Sequence, residues 1–253
     1  MVARRRVKWV TLSRLKWVIC NYMILLNILS AGAAQSVVQN VIADFKRETG
    51  NNVAAEYGAV GAMKARAQSN VPVDVIVLTH SMIDELIAAG FLAAGRFDLG
   101  KVGTGVAVRA GVAKPDVTNA HSLRATLRAA SVITFPDPAV ATAGKIVMTC
   151  LEKLGIADEV KSRLKFFPNG NAAMNWMAAE GDARAVGITQ NTEILPITGV
   201  TYVAPLPDEF QAKATYSAGV VANTAHSTEA KDFISRLTSS AAKPMLAAAG
   251  YEF

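Results

Sequence analysis

The chain has 253 residues, 51% of them hydrophobic and 18% charged, so it can fold as one large domain or two small lobes around a sizeable core. Six of its 26 basic residues (Arg4, Arg5, Arg6, Lys8, Arg14 and Lys16) fall in residues 1–22, which hold no acid, and the other 20 balance the 20 acids. The body therefore carries no net formal charge, which argues against nucleic-acid binding driven by phosphate neutralisation.

Residues 1–22 begin with the basic start of an export signal. The apolar core is broken by Arg14 and Lys16, and Asn21 and Asn27 interrupt the run that follows. Cleavage at the small residues Ala31–Ala34 would remove a strand that the fold needs. Two readings fit: an extension ahead of a true start at Met23, or a degenerate signal or anchor. Cys20 and Cys150 are the two cysteines, and Cys150 sits in an apolar helical run as a buried thiol. His80, His121 and His226 are scattered, and no spacing suggests a metal set or a cofactor.

Ile24–Leu29 reads as a buried strand and Ser30–Ala34 as a turn of very small residues. A helix follows, with Val37, Val38, Val41, Ile42 and Phe45 at helical spacing, Lys46 and Arg47 in its last turn and Gly50 as its stop. Val53–Tyr57 is the next strand, and Gly58–Ala62 opens a helix to about Ser69. Val71–Thr79 is a buried strand containing Asp74, and Ser81 with Asp84 forms a capping box for a helix ending at Gly90. Strand and helix alternate three times, which predicts a parallel sheet with helices on its faces.

Gly105–Gly111 is a strand, His121–Ala130 a helix and Ser131–Phe135 a strand. After Pro136-Asp137-Pro138, Thr142 is placed to cap a helix from Ala143 to Leu154, and a further helix covers Asp158–Leu164. The turn Pro168-Asn169-Gly170 leads into the helix Asn171–Ala179. Ala185–Thr189 and Val200–Ala204 are strands, and Pro205–Pro207 links to a last strand, Tyr216–Ala222. The helices Thr228–Thr238 and Ala241–Ala249 close the chain.

Four strands thus run through small or polar turns into helices, at Ser30–Ala34, Gly58–Ala62, Pro138–Gly144 and Gly170–Ala173. The first N–H groups of a helix lack internal partners and lie at the positive end of its dipole. Small side chains let an anion reach them. Open α/β sheets bind ligands at the carboxyl ends of their strands, so the four turns predict a pocket of backbone donors.

SAGAAQSVVQNVIADFKRETG, YGAVGAMKARAQSNVPVDVIVLT, FPDPAVATAGK and AKDFISRLTSSAAKPMLAAAGYEF, in this order over nearly all of residues 24–253, resemble the type 2 periplasmic solute-binding proteins of the molybdate-binding branch. The resemblance implies an α/β fold of two lobes, with residues 24–104 plus 205–253 in lobe I and 105–204 in lobe II. It places the ligand in the cleft between them and hinge strands at Gly105–Val108 and Val203–Pro207. Such proteins hold an oxyanion with two serine hydroxyls and a tyrosine. Ala33 and Val60 stand at the serine positions here, and Gln190 at the tyrosine position. Each missing hydrogen bond costs a desolvated oxyanion roughly 1–3 kcal/mol, so the expectation moves from molybdate to a larger polar anion such as a carboxylate.

The candidate ligand residues are Ser30, Ala33, Ala34, Gly58, Val60, Gly61, Thr142, Ala143, Asn171 and Gln190, with Gln35, Thr189 and Asn191 as further donors. Lys64, Arg66 and Lys145 are charged candidates. The function implied is a non-catalytic binding protein for a small anion, supplying an ABC permease. The implied location is the periplasm, with the cytoplasm as the alternative because no clean signal precedes the first strand. The rival expectation is an isomerase of an aconitate-like tricarboxylic acid on the same scaffold, with Asp137 or Lys145 nearest to a base.

Overall fold

Strand β1 (Leu25–Ala31) is buried from Ile28 onward, and the 3₁₀ turn Gly32–Ala34 carries it into α1 (Gln35–Thr49). The computed structural model describes residues 23–253, so the readings of residues 1–22 lie outside the described residues. Helix α1 buries Val37, Val38, Val41 and Phe45, as its periodicity requires, and ends at Gly50 in the left-handed conformation (φ 73°) that a residue without Cβ adopts freely. Phe45 meets Phe233 edge to face at 5.6 Å, pinning the helix to the lobe core.

Strand β2 (Asn52–Gly58), α2 (Val60–Ala67), β3 (Val75–Thr79), α3 (His80–Ala88) and β4 (Phe97–Val102) follow. The chain then builds β5 (Thr104–Arg109), α4 (Ala120–Ala129), β6 (Ile133–Pro136), α5 (Thr142–Lys153), α6 (Ala157–Val160) and β7 (Leu164–Phe167). Next come α7 (Gly170–Glu180), β8 (Val186–Gln190), the single turn α8 (Asn191–Ile194) and β9 (Val200–Pro205). It closes with β10 (Ala214–Val220), α9 (Ser227–Thr238), α10 (Lys243–Ala248) and β11 (Tyr251–Glu252).

The strands form two sheets, ordered β11-β4-β10-β3-β1-β2 and β7-β6-β8-β5-β9. Each has the same plan. Three strands run parallel (β2, β1 and β3, then β7, β6 and β8), and an antiparallel strand flanks them, β10 in one and β5 in the other. Each sheet has its own hydrophobic core, so the molecule is two α/β lobes.

The chain crosses from the first lobe to the second at Gly103 and returns through residues 206–213. The Gln211 amide ties the two crossings together: its Oε1 accepts the Thr104 N–H at 2.8 Å and its Nε2 donates to the Thr104 carbonyl at 2.9 Å. The segments expected as hinges, Gly105–Val108 and Val203–Pro207, fall in or just after β5 and β9, which pair with each other.

Local differences from the sequence reading have physical causes. The strand expected from Val71 begins at Val75, because the Asp74 carboxylate accepts the Asn27 N–H at 2.7 Å and the Thr224 hydroxyl, ending the ladder there. The Ser81–Asp84 capping box is absent: α3 begins at His80 after Thr79, two residues earlier, and Asp84 pairs with Arg96 at 2.6 Å. Thr142 does not cap α5 but is its first residue, after Ala141. Cys150 is buried on α5, where desolvation pushes its thiol up to about 12.

Candidate functional site

The carboxyl ends of β1, β2, β6 and β8 point at one cleft between the lobes, lined by Ala31–Ala33, Gly58–Val60, Pro136, Ala141–Ala143, Asn169, Gly170, Gln190, Glu193 and Tyr216. The cavity enclosed between the lobes is about 20 Å³, room for about one water molecule, so an organic anion enters only when the lobes stand further apart.

Four helix starts meet here, and they are not equivalent. Helices α1, α2 and α5 have alanine before their first residue (Ala34, Ala59 and Ala141) and no side-chain cap. On α2, however, the Gly61 N–H donates across the cleft to the Val140 carbonyl at 3.1 Å. On α5, Gly144 lets the helix approach β6: a Cβ there would lie 2.2 Å from the Pro136 carbonyl oxygen. Helix α7 is capped twice. Asn169 Oδ1 accepts the Ala172 N–H at 2.8 Å, and Glu193 Oε1 accepts the Gly170 N–H at 3.2 Å.

Glu193, on α8, is 5% exposed, and its Oε2 also accepts the Thr189 hydroxyl at 2.6 Å. Burial pushes this carboxyl above the usual carboxylate range, against the pull of Thr189 and of the Gly170, Gln190 and Asn171 N–H groups. Two glycines make room for it, one on each lobe. A Cβ on Gly170 would lie 2.1 Å from Oε2, and a Cβ on Gly32 would lie 2.6 Å from Oε1. Tyr216 and Tyr251 are buried beside it, and desolvation, then the Glu193 charge, pushes both phenols up. The Tyr251 hydroxyl donates to the Ala33 carbonyl at 3.2 Å.

Gln190, the last residue of β8, is 1% exposed. Neither its Oε1 nor its Nε2 has a hydrogen-bond partner among the described residues. A buried amide left so is costly, roughly 1–3 kcal/mol per group, and therefore rare.

Of the expected residues, Ala33, Gly58, Val60, Thr142, Ala143 and Gln190 line the cleft. Ser30, Ala34, Gly61 and Asn171 do not. The Ser30 hydroxyl donates to the Ala31 carbonyl at 3.1 Å, and Ala34 is packed into the core of lobe I. Asn171 Nδ2 spans the cleft, donating to the Gly32 carbonyl at 3.0 Å and to Gln35 Oε1 at 3.2 Å. Of the charged candidates, Lys64 pairs with Glu85, and Arg66 with Glu56 at 3.1 Å. Lys145 lies in a groove beside Phe210 and Gln211. The Asp137 carboxylate accepts the Ala139 N–H at 2.8 Å and closes its own loop. Neither expected base therefore lines the cleft.

Sequence reasoning missed Glu193, Asn169 and Tyr216 as cleft residues. A signal for the first was present: Thr189 and Glu193 are four apart across a strand end, the spacing that brings two side chains together on one turn.

The sequence profile of a family described as bacterial extracellular solute-binding protein matches residues 26–252. The chain is 27% identical over 221 residues to an aconitate isomerase from a Pseudomonas species, covering 85% of this chain and 82% of that protein. It is 21% identical over 199 residues to the molybdate-binding protein ModA of Escherichia coli K12, covering 78% and 77%. Among solved structures, the periplasmic molybdate-binding protein of Azotobacter vinelandii superposes with a TM-score of 0.75 at 21% identity, covering 90% of this chain and 99% of that one.

Proposed function

The chain belongs to the bacterial extracellular solute-binding proteins, and from that footing we propose that its cleft binds a small carboxylate anion, which it delivers to an ABC importer from the periplasm. The observation that carries the carboxylate is Gln190: a fully buried amide at the cleft, with a donor and an acceptor that no described residue uses. A hydroxy-polycarboxylate such as citrate offers oxygens to its Nε2 and a hydroxyl that donates to its Oε1. Molybdate and sulfate offer acceptors alone at neutral pH. Ala33 and Val60, at the cleft without hydroxyls, support the same choice. So does the relative named for acting on aconitate.

The test is a thermal-shift screen with citrate, both aconitate isomers, molybdate, tungstate, sulfate and phosphate. A ligand at about 100 times its dissociation constant adds roughly 2.7 kcal/mol, on the order of 5–10 °C for a chain this long. A shift with a carboxylate and none with molybdate is expected. A shift with molybdate alone overturns the reading. Q190M should lose the carboxylate shift while raising the melting temperature of the free protein, because an unpaired buried amide gives way to an apolar group of similar shape.

One observation favours a second reading, isomerisation of such an acid. Glu193 is the carboxyl that lines the cleft, where a proton carrier would have to be. In a 1,3 shift one group takes the proton from a carbon beside a carboxylate and returns it two carbons away while the double bond moves, with no other reagent consumed. Proton NMR of cis-aconitate with the protein decides between the readings: conversion makes it an enzyme, and binding without conversion leaves it a carrier.

A further inference from the structure

The carboxyl of Glu193 is a wedge between the lobes. It hangs from α8 of lobe II, rests on the Gly170 N–H and Thr189 of the same lobe, and presses against Gly32 of lobe I. The polar contacts across the cleft, Asn171 to Gly32 and Gly61 to Val140, hold the lobes closed over it. Closure is therefore what strips its solvent, since one wall of its cradle belongs to the other lobe. The titratable groups facing it are two phenols, Tyr216 from β10 and Tyr251 from β11. The turn Gly32–Ala34, the α7 start and β8 face it with backbone groups, Thr189 and Gln190, and no cation among the described residues stands on its surroundings.

An anion in this cleft shares a dry space with that carboxyl. Two negative charges at close range in low dielectric cannot both persist, and one group takes a proton. A solute carboxylate has the open start of α5 and Gln190 to stabilise its charge. Glu193 is fully buried, a cost that outweighs the pull of Thr189 and of the Gly170, Gln190 and Asn171 N–H groups, so the proton settles there. We propose that Glu193 is part of the solute site, and that the cleft closes on its anion together with one proton, held by Glu193. This rests on the reading of the cleft as an anion site and deepens it. The protein captures its solute more tightly as the medium becomes more acidic.

Calorimetric titration of the protein with cis-aconitate, between about pH 7 and about pH 8.5 and in buffers of different ionisation enthalpy, counts the protons taken up. That window lies above the ordinary carboxylate range. The expected result is net proton uptake on binding and an affinity that falls as the pH rises, by at most about tenfold per pH unit. E193Q, fixed in the neutral form, should lose both and bind more tightly than the unaltered protein at the alkaline end. Equal pH slopes in the two proteins overturn the proposal. Should cis-aconitate bind to neither protein at any pH, the carboxylate reading fails instead. The carboxyl ¹³C titration of Glu193 is then compared with and without whichever anion of the screen raises the melting temperature. A midpoint that the anion leaves unmoved overturns the proposal, and one that it raises keeps it for that anion.

Discussion

Helices α5 and α7 both belong to lobe II and both begin at the cleft, yet they start in opposite conditions. Helix α7 has an asparagine cap and a buried carboxylate on its first N–H, so its positive end is already answered from within. Helix α5 follows Ala141 and has no side-chain cap. The contrast shows how a binding site is left in a fold whose helix starts all look alike: function resides in the start that the protein does not satisfy itself.

Exchanging the two conditions gives the strongest test. The backbone of Ala141 is extended, as a capping residue requires (φ −115°, ψ 134°). A141D should therefore cap α5 and add about 1 kcal/mol of stability. The same carboxylate should repel the solute by several kcal/mol, a loss of affinity of about a hundredfold or more. Retained binding by calorimetry would break the comparison. G170A strikes the other start: its Cβ would lie 2.1 Å from both Glu193 Oε2 and Thr189 Oγ1. Overpacking of this kind costs about 1–3 kcal/mol in urea unfolding.

The stability of the two starts should also part company with pH. The folded-state Glu193 is raised above its unfolded value, so its contribution is fully present below the ordinary glutamate range. That contribution is lost as pH rises through the folded value, with a slope of up to about 1.4 kcal/mol per pH unit in that window. Urea midpoints of E193Q should lack this slope. The smallest effects compare the caps directly. N169A should cost about 1 kcal/mol. T142A should stay within about 0.5 kcal/mol, since Thr142 caps nothing, while weakening the solute.

Much of this architecture could be read from the residues. Val37, Val38, Val41 and Phe45 mark α1 by their spacing, and the apolar run at Val75–Thr79 marks a fully buried strand. Strand β4 escaped notice because its single glycine, Gly100 (φ 144°), breaks any alternation, and β11 has only two residues. Helix α8 escaped because a four-residue turn has no periodicity to detect, and Glu193 was lost with it. The small turns flagged the helix starts correctly as places. What could not be read was which polar groups the protein uses itself, because their partners are distant in sequence: Glu193 answers the Gly170 N–H from 23 residues away, and Val140 answers the Gly61 N–H from the opposite lobe. Asn171 and Gly32 are 139 residues apart, and no local pattern joins them. The positions of Ala33, Val60 and Gln190 at the cleft could be read, because missing hydroxyls are visible in a sequence.

The contacts from Asn171 to Gly32 and from Gly61 to Val140 belong to the protein alone, so part of what holds the lobes together does not depend on the occupant. The consequence is kinetic. A solute behind such a latch leaves only as often as the latch opens, and its dwell time is set by lobe separation rather than by its own grip. Chemically different occupants would then share one slow off-rate and differ mainly in how readily they enter. Removing the latch, as in N171A, would shorten the dwell time of all of them alike, which makes release to a downstream partner a matter of prising two lobes apart.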